Sequence, residues 1–295
     1  MIEMQDVSFA YRTTFSGEGR EDDLGRAKDG RGGGSGKNDG SGRGGVRGLS
    51  LRIARGECVL LCGASGCGKT TVARLVNGLI PHFFEGKLAG TVCVDGMDSQ
   101  ETEIAAFSDA VGTVFQNPRT QFFNADVDSE IVFGLENRGI ARAQLCARLD
   151  DVTEELHLQA LRGRSVFELS GGEKQKIAFS SAYASDPNVL VFDEPSSNLD
   201  MRSIEELAKL MRTAKEKGKT ILVAEHRIWY LMDIVDRVIY LQDGAVVSDM
   251  PIEDFRKLSA RMCAAGVCVP ATLPPCSPRR RRARALPATS SPSRT

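Results

Sequence analysis

Gly63-Ala64-Ser65-Gly66-Cys67-Gly68-Lys69-Thr70 fits the spacing GxxxxGK[ST]. Glycines lack a Cβ, so such a loop can wrap a phosphate with its amides turned inward, and a helix starting at the lysine adds its positive end. The spacing therefore predicts that these eight residues and Thr71 bind nucleotide phosphates. Lys69 would bridge the β- and γ-phosphates, and the Thr70 hydroxyl would reach Mg²⁺. A second acidic site, Asp193-Glu194-Pro195, ends the apolar run Val189-Leu190-Val191-Phe192. Asp193 at the strand end can join the Mg²⁺ shell, and Glu194 is placed to polarise an attacking water. The loop alone leaves GTPases, kinases, helicases and transport ATPases open.

These groups need rigid elements to hold them. Cys58–Cys62 reads as a buried strand entering the loop, and TVARLVNGLI as the helix leaving it, with Val72, Leu75, Val76 and Leu79 at helical spacing. Val189–Phe192 is a continuous apolar run, as in a strand covered on both faces. Residues 2–11 and 46–53 alternate apolar and polar like strands. Between them, Gly17–Gly45 holds 12 glycines in 29 residues with six acids and six bases, a composition expected to form a flexible insertion. Mixed α/β patterning runs to about Leu258, and from about Cys263 the sequence turns to Pro, Ala, Ser and clustered Arg, so residues 259–295 are expected to be a disordered tail. Such a tail suits either a solvated appendage or contact with anionic lipid or RNA.

Composition narrows the classes further. The 295 residues, 41% hydrophobic and 26% charged, suffice for one large core. No apolar run reaches the eighteen or so residues of a membrane span, and the N-terminus lacks a signal-peptide pattern. The net charge of −1 hides an asymmetry, since residues 1–260 carry 31 basic and 39 acidic side chains. A nucleic-acid-binding body is not indicated. Eight cysteines without metal-ligand spacing read as reduced, structural thiols.

Leu169-Ser170-Gly171-Gly172-Glu173 lies 23 residues before Asp193, counted from Ser170, and here the chain resembles the ATP-binding-cassette ATPases, whose signature reads LSGGQ. Further family motifs follow in order: Tyr11, Gln116 in VFQNP, Ser196-Ser197-Asn198-Leu199-Asp200, and His226 in ILVAEHR. By that resemblance Tyr11 stacks on adenine, though an aromatic at a strand end equally suits core packing. Gln116 links Mg²⁺ and water to a transmembrane partner, and His226 contacts the γ-phosphate. Phe115–Pro118 with Gln121, and Ala224–Leu231, resemble the energy-coupling-factor branch, the cobalt and vitamin importers.

The resemblance covers residues 1–258 outside the insertion and implies an α/β fold. Its parts are a mainly parallel P-loop NTPase core sheet, an antiparallel β edge from the N-terminal strands, and a helical signature subdomain over residues 117–180. It implies ATP and Mg²⁺ as ligands, with Lys69, Glu194 and His226 catalytic and Thr70, Gln116 and Asp193 around the metal. It also implies a second ATPase subunit, a copy or a paralogue, whose nucleotide is completed by Ser170, Gly171 and Gly172. Integral membrane transporter subunits would couple hydrolysis to uptake, with the chain on the cytoplasmic membrane face. The competing expectation is a soluble cassette ATPase of DNA repair or translation. The 53 residues from Gln116 to Leu169 leave no room for a coiled-coil insertion, and only one cassette is present.

Overall fold

The computed structural model describes residues 1–12 and 45–264. In chain order these form β1 (Ile2–Tyr11), β2 (Val46–Ile53), β3 (Cys58–Cys62), α1 (Lys69–Val76), α2 (Leu79–His82), β4 (Gly86–Val94), β5 (Met97–Asp98), α3 (Ile104–Ala110) and β6 (Val111–Val114). There follow α4 (Val127–Asn137), α5 (Arg142–Glu155), α6 (Gly171–Ala184), β7 (Val189–Asp193), α7 (Met201–Glu216), β8 (Thr220–Ala224), β9 (Arg237–Gln242), β10 (Ala245–Pro251) and α8 (Ile252–Ala264). The insertion expected at 17–45 lies outside the described residues except for Gly45. Of the tail expected from 259, residues 259–264 instead continue α8, and the remainder is likewise outside them.

Six strands in the order β10-β9-β3-β8-β7-β6 form the core sheet, parallel throughout except for the antiparallel edge strand β10. Its central strands are apolar except at Thr220 and Asp193 at their ends, because both faces are covered. Val59, Leu61, Val189, Val191, Leu222 and Ala224 face α1 and the N-terminal strands, whereas Cys58, Leu60, Leu190, Phe192, Ile221 and Val223 face α7 and the helices between β6 and β7. The expected antiparallel strands make a four-stranded sheet of their own, β2-β1-β4-β5, so α1 lies between two sheets. Val72, Ala73, Leu75 and Val76 on α1 are buried there. That burial fixes the helix that begins at Lys69.

Parallel register brings the chemistry to one edge. Leu61 and Asp193 both pair with Ala224, so the phosphate loop, the acidic pair and the His226 turn all leave the carboxyl ends of β3, β7 and β8. Such an edge is where open α/β sheets bind ligands.

Candidate active site

The loop after β3 has the conformation its glycines allow. Gly63 sits at φ +149, and a Cβ there would lie 2.2 Å from the Leu241 carbonyl oxygen and 2.7 Å from Cys67 Sγ. Gly68 caps α1 at φ +110, a region that side chains disfavour. Lys69 is only 4% exposed, and its ammonium donates to the carbonyls of Gly63 at 3.1 Å and Ala64 at 3.2 Å. The charge therefore stands inside the loop, where phosphate oxygens can replace those carbonyls.

Thr70 Oγ1 donates to Asp193 Oδ1 at 3.0 Å. Burial pushes the Asp193 carboxyl above its ordinary range, opposed by the Thr70 hydroxyl and by nearby Arg74 and Lys69. A hydroxyl and a carboxylate are hard oxygen donors, and a divalent cation between them would favour the ionised carboxylate that burial disfavours. Among the described residues no cluster of three or more His, Cys, Asp or Glu could enclose a metal.

Glu194 follows at φ +48, an uncommon region for a residue with a Cβ, and its amide is held by the Ala224 carbonyl at 2.8 Å. Its two carboxylate oxygens have different neighbours. His226 Nε2 lies 3.1 Å from Oε1, and the Gln116 side-chain amide donates to Oε2 at 3.1 Å. The three residues expected around the attacking water are thus brought into direct contact, with Glu194 in the middle.

Tyr11 lies beside the phosphate loop, its hydroxyl 3.3 Å from Thr71 Oγ1 and accepting from Arg74 at 3.0 Å. Its ring meets Phe9 and Phe84 edge to face at 4.8 and 5.9 Å. Tyr11, Thr71, Arg74 and Phe84 line a cleft of about 390 Å³ together with Gly66, Gly68, Lys69, Thr70 and Glu194. Ser170, Gly171 and Gly172 do not line that cleft; Ser170 caps α6, and Gly171 borders a separate cavity with Gln116 and Asn198.

Sequence reasoning missed three members of the site. Arg74 packs its guanidinium 4.1 Å over the Phe84 ring, and both line the cleft. Arg74 lies on the side of α1 away from Val72, Leu75 and Val76, where a charged residue is ordinary, so the sequence offered no signal for it. Glu225 reads in the sequence only as the neighbour of His226, yet it is 2% exposed and accepts the amides of Ser196, His226 and Arg227 and the Tyr230 hydroxyl, at 3.2, 2.7, 3.0 and 2.9 Å. This carboxylate joins the loop after Glu194 to the turn carrying His226.

Residues 46–197 match the ABC transporter family. The chain belongs to that family. It carries the family's ATPase domain. An ABC transporter ATP-binding protein of Treponema denticola is 65% identical over 70% of this chain and 42% of its own length, so the chain spans less than half of that relative. A similarly named protein of Pyrococcus abyssi is 40% identical over 69% of this chain and 73% of its own. Among solved structures, CbiO1 of Clostridium perfringens, part of the ABC transporter complex CbiONQ, superposes with a TM-score of 0.70 at 22% identity, over 91% of this chain and 95% of that one. An ATP-binding cassette solved as a dimer with ADP and Pi gives 0.64 at 22%, over 85% and 99%. At these identities the cassette shares its fold with both.

Proposed function

We propose that this cassette is the ATP-binding and ATP-hydrolysing subunit of an importer of the energy-coupling-factor type, driving uptake of a vitamin or metal ion through separate membrane subunits. The observation that carries the catalytic part is the bracketing of Glu194 by Gln116 and His226, beside the Thr70–Asp193 pair. Lys69 and the loop amides from Gly63 to Thr71 would hold the phosphates, and Tyr11 the base. Glu194, oriented by His226 and Gln116, would take a proton from a water placed in line with the γ-phosphorus. Mg²⁺ held by Thr70 and Asp193 would neutralise charge on the β- and γ-oxygens.

Two features support the assembly. Ser170, Gly171 and Gly172 open a helix whose amides face no nucleotide of their own cleft, which suits action on ATP held by a second cassette. Phe122, Phe123, Val166 and Phe167 line a groove of about 500 Å³ a few residues beyond Gln116, and Phe123 and Phe167 are 75% and 78% exposed. Exposed aromatics at that density mark a protein interface, here assigned to a membrane subunit on the cytoplasmic face. No helix among the described residues is long and apolar enough to cross a membrane. The likeness to CbiO1 favours the energy-coupling-factor branch.

Purifying the full chain from solubilised membranes tests this reading. Integral membrane proteins should co-purify, and the ATPase activity of that complex should disappear with Glu194→Gln. A chain recovered free of membrane proteins and bound to nucleic acid or ribosomes would overturn it.

A further inference from the structure

Helix α6 opens with a capping box in which Ser170 Oγ accepts the Glu173 amide at 3.3 Å and Glu173 Oε2 accepts the Ser170 amide at 2.8 Å. The other carboxylate oxygen takes Arg164 Nη1 at 2.8 Å. Arg164 belongs to a different segment, which is tied to the start of α4: its carbonyl accepts the Val127 amide at 3.0 Å, and the Val166 amide donates to Ala125 at 2.8 Å. Ser165 between them bridges to Asp126. The arginine is thus delivered to the cap by backbone that does not move with α6 alone.

An acid at this position poses a problem of sign. A helix N-terminus offers an anion roughly half a positive elementary charge, and a carboxylate in the first turn carries a full negative one. Left bare, Glu173 would turn an attractive helix end into a repulsive one for phosphate. We infer that Arg164 is a positioning residue for the signature, holding Glu173 as the helix cap and cancelling its charge, so that Ser170, Gly171 and Gly172 meet an anionic nucleotide at a net positive helix end. This rests on the reading above that the signature acts on ATP held by a second cassette. The hydrogen bonds from Ser170, together with Arg164, hold the Glu173 carboxyl down to about 2, so the charge to be cancelled is present throughout the physiological range.

The test is a charge series in the complete membrane complex: parent, Arg164→Gln, Glu173→Gln and the double variant, each checked for its melting temperature. Steady-state ATPase is measured against ATP concentration at low and high salt. Gln at 173 keeps an oxygen for the Ser170 amide, so the cap survives while the charge goes. Arg164→Gln should raise KM for ATP on the order of tenfold, with the deficit relative to the parent shrinking as salt screens the bare carboxylate. Glu173→Gln should leave KM at or below the parental value, and the double variant should return it to near parental. A parental KM in Arg164→Gln, or a double variant as impaired as Arg164→Gln, would overturn the proposal. Ser170→Arg, run alongside, separates the two readings. If it turns over at the parental rate the two-cassette reading fails, whereas an inactive Ser170→Arg beside a parental Arg164→Gln sinks only the role of Arg164.

Discussion

His226 Nε2 stands 3.1 Å from Glu194 Oε1, although 32 residues and the whole of α7 separate the two. The contact exists because β7 and β8 are parallel neighbours whose ends are level, Asp193 pairing with Ala224. It gives Glu194 a partner that can steady its carboxylate.

Substituting Glu194→Gln should leave ATP binding near parental and slow turnover by about a hundredfold or more, since general-base catalysis contributes on that scale. Lys69→Ala should instead abolish productive binding, because its charge meets the phosphates in the ground state. Equilibrium binding of ATP and single-turnover hydrolysis on the same preparations distinguish the two. Hydrolysis at the parental rate in Glu194→Gln would remove it from the chemistry.

Glu225 should matter for stability as well as rate. Replacing it with Ala leaves three amides and the Tyr230 hydroxyl without their acceptor in a buried place. Stranding buried donors costs about 1–3 kcal/mol each, so even one unrelieved donor should lower the melting temperature by several degrees. Turnover should fall with it as the Ser196 and His226 loops loosen. An Ala variant that melts within a degree of the parent would show the carboxylate to be dispensable.

Lesions divided between two cassettes probe the shared site. A Ser170→Arg protein and a Lys69→Ala protein should each be inactive alone. Mixed as a homodimer they form one site with both lesions and one with neither, so part of the ATPase activity should return. With a paralogue as partner, the lesions are split between the two chains. No recovery in any combination, with dimers verified by light scattering, would count against the head-to-tail arrangement.

The capping carboxylate also predicts a pH signature. Glu173 is held at about 2, below the ordinary 4.5. A depressed folded value means its stabilisation is complete above 4.5 and is lost as pH falls from there towards 2. Urea unfolding of parent and Glu173→Gln should therefore differ at pH 7, with the parent more stable, and the gap should narrow between pH 5 and pH 3. A gap that stays constant over that range would mean that the carboxylate is not favoured by folding.

Much of this site is readable from the chain because its backbone admits few residue types. Gly63 and Gly68 occupy places where a Cβ collides or a positive φ is needed, and apolar runs lead directly into Gly63, Asp193 and the Glu225-His226 turn. Ser170 and Glu173, three apart, also form a legible cap. What stayed hidden depends on how turns fold side chains back onto one another. Arg74 over Phe84, Arg164 on Glu173, and the four donors on Glu225 bring together residues whose own neighbourhoods give no reason to pair them. The N-terminal strands alternate as strands should, but alternation does not say which sheet receives them, and they form their own. α8 runs on to Ala264, past the expected end of the domain at Leu258.

Strands β6 and β7 pair from Val111 with Val189 to Val114 with Phe192, although the entire α4–α6 excursion lies between them in the chain. The polypeptide departs from one strand and returns on its immediate neighbour. In mechanical terms the helices are a lever on two joints, the outgoing one at Gln116 and the returning one between Ala184 and Val189. A load applied to the Phe123–Phe167 groove has two covalent routes into the sheet, and one passes through the residue that hydrogen-bonds Glu194.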